Sequence, residues 1–202
     1  MITIRQATQQ DVAGIVVIHC DAFKDFFLTS LGKRFLTTYY SCFIGSNETV
    51  TLCAEDDGKL IGFSAATSVS KGFNGRLIRG NAARFVLLGI KMLFISPSAL
   101  IRLTKNFTKK SSEIEDIEEY GELYSIGVSS KCQGKGVGKI LINSTESEIY
   151  KRNREVKRLS LTTDYYNNRS TIAFYQNCGY RILYDFITYP KRRMLRMIKN
   201  LE

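Results

Sequence analysis

Tryptophan is absent from the 202 residues, histidine occurs once and proline twice. The single histidine, His19, and five scattered cysteines with no C-x-x-C pair leave no ligand set for a metal, and none is expected. Cys20, Cys42, Cys53, Cys132 and Cys178 are odd in number, and the N-terminal MITIRQATQQ lacks the apolar core of a secretory signal. Reduced thiols and a cytoplasmic location are the expectation. A Cys–His nucleophilic pair would need His19 and Cys20, and adjacent helical residues do not face each other. The longest near-apolar stretch, Phe85 to Ile95, is interrupted by Lys91 and is well short of the ~20 residues that span a bilayer. Acid is also missing from one long segment. Residues 71–110 hold Lys71, Arg76, Arg79, Arg84, Lys91, Arg102, Lys105, Lys109 and Lys110 but no Asp or Glu. That block supplies most of the net charge of +10. It is either a solvated face or a site for an anionic partner.

Apolar residues make up 44% and charged residues 24% of the chain, a balance that excludes collagen, low-complexity disorder and a disulfide scaffold. A chain of this length buries roughly 70% of its unfolded surface, so one domain over 1–202 is expected without a staple.

The periodicity places elements in order. Ile2 to Arg5 alternates as a strand, and Thr8-Gln-Gln-Asp11 has the form of a capping box with Asp in place of Glu. Val12, Ile15, Val16 and His19 follow at helical spacing, so a helix runs to about Phe23 with His19 on its apolar stripe, more as a packing residue than a catalytic one. A second helix is expected over Leu28 to Phe43, with Gly32 marking a kink or a close approach. Thr49–Glu55 and Lys59–Thr67 read as a hairpin around Asp57-Gly58. Residues 70–119 contain an apolar helix from Ala82 to Ile95, a basic amphipathic helix from Ala99 to about Phe107 and an acidic run from Glu113 to Glu119. Glu122–Val128 is a strand. A glycine-rich stretch, Gln133 to Gly138, then opens a helix to about Arg152. Arg158–Thr163 is a strand, Asn168 caps a helix ending at Cys178-Gly179, and Tyr180–Phe186 and Arg192–Ile198 close the chain as strands.

The unit that carries chemistry is strand, glycine loop, helix. Backbone N–H groups at a helix N-terminus form an anion site, glycines let phosphate oxygens approach, and Lys135 and Lys139 add charge. The loop lacks the hydroxyl and spacing of a Walker sequence, and Lys139 stands where the dinucleotide fingerprint has its third glycine. What remains, Gln133-x-x-Gly136-x-Gly138 after a strand, resembles the acetyl-CoA loop of the GNAT superfamily of N-acetyltransferases. Downstream, Asn168 to Tyr180 resembles that family's N-x-x-A-x-x-x-Y-x-x-x-G-F segment, with Thr171 in place of Ala and Tyr180 in place of Phe. The resemblance covers all but about residues 70–119, which look like a helical insertion before the fourth strand.

The resemblance implies a GNAT-like α+β fold: a mixed, mostly antiparallel twisted sheet of about seven strands flanked by helices. It implies acetyl-CoA as cofactor and acetyl transfer to a primary amine by direct attack in a ternary complex. The fourth strand would part from the fifth at a bulge, for which Gly127 is suited, with the backbone of Ile126 and Val128 pairing with the pantetheine arm. The amides of Gln133, Gly134, Lys135, Gly136, Val137, Gly138 and Lys139 would hold the pyrophosphate, and Asn168 the cofactor arm. Tyr175 is placed to protonate the departing thiolate, its alternative being simple packing on the sheet. A base would be Glu122 or Tyr124, which alternation puts on one strand face, or Asp164, or a water relay.

The acceptor side falls to the aromatic segment 23–43, with Phe27 and Tyr39, and to Arg76, Arg79 and Arg84 of the insertion. An acceptor with an anionic handle, such as a nucleotide-linked amino sugar, fits these arginines. The apolar inserted helix also fits a homodimer contact, since such helices are usually buried against something, and less readily a peripheral membrane contact. A nucleic-acid partner is disfavoured, because no standard module is present and the aromatics do not interleave with the basic residues. The alternative function is a nucleic-acid- or membrane-associated CoA-binding protein that uses 71–110 without turnover.

Overall fold

The computed structural model describes residues 1–24, 26–95, 119–189 and 191–201, with the backbone alone for 91–95. The chain begins with β1 (Ile2–Gln6), a 3-10 turn (Gln9–Asp11) and α1 (Val12–Ala22). The capping box is formed: the Thr8 amide donates to Asp11 Oδ2 at 2.7 Å. The same carboxylate group accepts from Arg5, which also reaches Glu55 and so ties β1 to its neighbour. The Arg5 guanidinium holds the Asp11 carboxyl well below the usual carboxylate range. The single helix expected over 28–43 is two. α2 (Phe27–Ser30) stops at Gly32, whose φ of +87° breaks the helix and starts α3 (Lys33–Ile44).

β2 (Thr49–Asp56) and β3 (Lys59–Thr67) form the expected hairpin. The insertion then begins with α4 (Phe73–Gly80), a helix that its glycines hid from the sequence reading, and continues with α5 (Ala82–Ile95). The basic helix expected over 99–107 and nearly all of the acidic run, 113–118, lie outside the described residues. β4 (Gly121–Val128), α6 (Val137–Arg152), β5 (Arg158–Asp164), α7 (Arg169–Asn177), β6 (Arg181–Thr188) and β7 (Arg192–Asn200) complete the order.

The strands make one open seven-stranded sheet in the order β1-β2-β3-β4-β5-β7-β6. Every pairing is antiparallel except β4 with β5. Each face carries a core. On one, α6 and α7 set Leu141, Ile142, Ile149 and Tyr175 against Leu52, Leu159, Leu161 and Met197. On the other, α1, α3 and α4 set Ile15, Leu36, Tyr40, Phe43 and Phe73 against Phe63 and Ala65. Each large side chain buried this completely contributes about 1.5–3 kcal/mol, so both helical layers are held by the same non-directional force.

The bulge on β4 is one turn of the pleat away from where Gly127 placed it. Ala65 faces Ser125 while Ala66 faces Leu123, so Tyr124 is the extra residue. Alternation resumes with Ile126 and Val128 on the α6 side. Gly127 is glycine for a different reason: a Cβ there would lie 2.8 Å from the Phe63 ring.

His19 is 2% exposed, beneath Phe23, Tyr40 and Phe63. Tyr40 donates its hydroxyl proton to Ser125 Oγ at 3.2 Å, so His19 Nδ1 is the donor in the 2.7 Å contact with the Tyr40 oxygen. Among the described residues its buried Nε2 has no partner. Burial therefore lowers its pKa to about 4. Because the folded state binds the proton less well than the unfolded chain, this group's stability is complete above the ordinary value near 6.5 and is lost as pH falls toward 4. It should remove about 2 kcal/mol between pH 7 and pH 5. Thermal melts across that range should show this slope in the parent and a flattened one in His19→Gln; an unchanged slope in the variant would assign it elsewhere.

Candidate active site

β4 and β5 are neighbours for only three residue pairs, Gly121–Leu159, Glu122–Ser160 and Leu123–Leu161. Beyond Leu123 the two strands part. The hydrogen bond from Ser129 N–H to Ile61 O sets the phase of the β3–β4 ladder. In an antiparallel ladder bonded and non-bonded pairs alternate, so Gly127 and Ser125 bond to β3 while Ile126 and Val128 turn their N–H and C=O into the opening. The Val128 carbonyl there accepts the side-chain amide of Gln133 at 3.2 Å, which pins the glycine loop to the end of β4.

The loop turns on Gly134 and Gly136, at φ of +77° and +78°, with open space where each Cβ would stand. Gly136 is the N-cap of α6, and the first backbone bond there runs from Ile140 N–H to Gly136 O. The amides ahead of Ile140 therefore have no carbonyl one turn back inside the helix, and they sit at its positive pole beside Lys135 and Lys139. This arrangement fits a pyrophosphate. Gly138 serves another purpose: a Cβ there would lie 3.3 Å from the Phe174 ring, so its absence lets α7 pack closely against the start of α6.

That contact places Tyr175, the next residue of α7, in the core between the two helices, 8% exposed and beside Phe174 and Tyr180. Burial raises its pKa, so the phenol keeps its proton. Asn168 occupies the N-cap position of α7 but does not cap it with its side chain. Its Nδ2 instead donates to Thr163 Oγ1 at 2.6 Å and to the Asp164 carbonyl at 3.0 Å, fastening α7 to the end of β5.

An open mixed sheet, two adjacent parallel strands that part, and a helix N-terminus facing the gap form one constellation, and the comparisons name it. Residues 18–180 match the model of the Acetyltransferase (GNAT) family. The chain belongs to the GNAT acetyltransferases. No curated protein sequence matches it. Solved structures share the fold at low identity. The ribosomal-protein-S18-alanine N-acetyltransferase from Escherichia coli aligns over 100% of this chain and 95% of its own with a TM-score of 0.64 at 15% identity. An N-acetyltransferase from Staphylococcus aureus Mu50 aligns over 100% and 99% with a TM-score of 0.64 at 14% identity. A spermidine N-acetyltransferase chimera that includes the Vibrio cholerae enzyme aligns over 99% and 95% with a TM-score of 0.62 at 16% identity.

The acetyltransferase presents its three carboxylate and phenol base candidates already engaged. Glu122 Oε2 accepts from Ser70 Oγ at 2.6 Å, and Oε1 from Arg196 of β7. Burial opposes the charge on Arg196, and the Glu122 carboxylate more than offsets it, so the guanidinium stays protonated above its usual range. Tyr124 lies among Phe43, Phe73 and Glu122; burial first, then the neighbouring carboxylate, raise its pKa and rule out a phenolate. Asp164 is held by both Nε and Nη2 of Arg192. Arg192 also lies over the Phe26 ring, centroid distance 5.1 Å, so the β6–β7 turn and the segment before α2 meet across the end of β5.

Of the expected acceptor residues, Tyr39 is in the core near Tyr124 and Glu122, and Phe27 packs at that core's edge. Arg76 does not reach this site. Its Nε and Nη2 take the Glu48 carboxylate and its Nη1 the Lys71 carbonyl, which locks α4 to the end of the β2–β3 hairpin. Arg79 is exposed on α4, and Arg84 lines a groove between α3 and α5. Arg192 and Arg196 replace them beside the carboxylates. Their spacing on a strand, which puts both on one face, was visible in the sequence; nothing local marked Ser70.

Thermal unfolding tests the loop directly. Acetyl-CoA at about 100 times its dissociation constant should stabilise the parent by ~2.7 kcal/mol, several degrees at this size, and Gly136→Asp should erase the shift. An equal shift in the variant would move the cofactor phosphates elsewhere.

Proposed function

We propose that this acetyltransferase moves the acetyl group of acetyl-CoA to the primary amine of a small acceptor with an anionic part, of which a nucleotide-linked amino sugar is one example. The opening of the sheet after Leu123, with the amides of the glycine loop at its mouth, carries the cofactor half of this reading. Ile126 and Val128 would bind the pantetheine arm through their backbone. Gln133 to Lys139 would take the pyrophosphate, with Val137 and Gly138 also setting the helix against β4 and α7. When bound, acetyl-CoA supplies an acetyl group on a thioester whose sulfur can leave.

The residues around the opening have separable tasks. Tyr175 holds a proton for the departing sulfur. Glu122 is the negative group on the acceptor face of β4 and orients the amine. With both its oxygens engaged, a water relay carries the amine proton away toward it. Tyr124, kept neutral, packs against the acceptor and can donate one hydrogen bond.

The acceptor half rests on charge. Glu122 and Asp164 are each answered by an arginine of β7, and Asp185 by Arg193. A polycation would find its carboxylate partners taken, whereas an anion can use the guanidinium N–H groups that the carboxylates leave free. CoA release measured over a panel of primary amines should favour those with phosphate or carboxylate groups over spermidine. Tyr175→Phe should lower turnover by about 10²–10⁴-fold while acetyl-CoA still stabilises the fold. Unchanged turnover would remove Tyr175 from its role, and a preference for spermidine would overturn the anionic acceptor.

A further inference from the structure

α5 is apolar on two sides. Phe85 and Leu88 face inward and pack on the α1–α3 core. Val86, Leu87 and Ile90 face outward, 59%, 61% and 50% exposed. The spacing i, i+1, i+4 puts these three on one stripe. Aliphatic side chains exposed singly are ordinary, but a row of three on one helix is a contact surface.

The flank of this stripe is basic. A groove of about 560 Å³ runs between α3 and α5, lined by Lys33, Arg34, Thr37, Thr38, Arg84 and Leu87. Arg79 is exposed one helix earlier. Among the described residues no carboxylate pairs with Lys33, Arg34, Arg79 or Arg84, in contrast to the ion-paired arginines of β7. The sequence from 71 to 110 has no acidic residue to neutralise them. No helix among the described residues is long and apolar enough to cross a membrane.

We propose that the outward face of α5, with the basic groove beside it, docks the acetyltransferase on an anionic membrane surface. Val86, Leu87 and Ile90 would enter the boundary between headgroups and acyl chains, while Lys33, Arg34 and Arg84 meet lipid phosphates and the threonine hydroxyls of α3 bond to headgroup oxygens. Charge decides against two other occupants. A twofold pairing with a second copy would set the same cations against one another. A nucleic acid would place its phosphates against three aliphatic side chains with no aromatic platform between them. The face is one helix from the site, because Phe73 of α4 packs on Tyr124 at 5.3 Å between ring centroids.

Flotation of the full chain with vesicles tests this. Binding to phosphatidylcholine vesicles containing phosphatidylglycerol should exceed binding to phosphatidylcholine alone and fall as salt rises. Replacing Lys33, Arg34 and Arg84 together with Gln should weaken partitioning about a hundredfold, roughly fivefold per cation. The double change Leu87→Glu, Ile90→Glu should abolish it. Retained stabilisation by acetyl-CoA in both variants shows that they fold and keeps this result separate from the acceptor question. Equal binding to neutral and anionic vesicles, or none at millimolar anionic lipid, overturns the proposal. So does a dimer that Leu87→Glu dissociates in a protein that ignores vesicles, or salt-sensitive capture by polynucleotide with no vesicle binding.

Discussion

Everything at the site depends on two parallel strands that cease to pair after three residues. Within a sheet, unpaired backbone N–H and C=O groups are costly when they are also dry, and strands remain together for that reason. Here β4 and β5 separate after Leu123 and Leu161, and the ladder phase turns Ile126 and Val128 toward the gap. Apart from the Val128 carbonyl, which Gln133 takes, the backbone groups turned to the gap are ones an extended ligand can satisfy. The bulge at Tyr124 belongs to the same event: an extra residue on β4 increases local twist just where the strands begin to diverge.

An ion pair lies at the point of parting. Arg196 reaches from β7 past β5 to Glu122 on β4, bonding Ser160 of β5 on the way. At the far end of β5, Arg192 of β7 holds Asp164 and leans on Phe26. Buried pairs of this kind contribute little net stability, since desolvation offsets most of the attraction, but losing one partner leaves an unanswered charge. Their effect is geometric, and it leaves both Glu122 and Asp164 paired.

Much of this was legible in the sequence. Alternation and helical spacing gave the strand order elements and α1, α5, α6 and α7, because those segments bury one face and their apolar residues must recur with the element's period. The loop and α7 were legible because Gln133-x-x-Gly136-x-Gly138 and the run from Asn168 through Tyr175 to Gly179 resemble two motifs of the family; the glycines alone mark only a turn. Local signals failed where the decision was tertiary. Gly127 looked like a bulge residue, but Phe63 across the strand decides its identity, and the bulge fell on Tyr124. α4 contains Gly75 and ends at Gly80, so propensity argued against a helix that Phe73 and Leu77 hold in place by packing. Arg76 looked free for a ligand until Glu48, 28 residues away, claimed it.

The contact between Gly138 and Phe174 makes one heritable unit of two segments that are written 36 residues apart. The glycine loop and the helix that carries Tyr175 meet where residue 138 lacks a methyl group. A methyl group at 138 would press on the Phe174 ring, the neighbour of Tyr175. Enlarging residue 138 therefore requires the Phe174 ring to give way by a few tenths of an ångström, which couples the packing of the two segments.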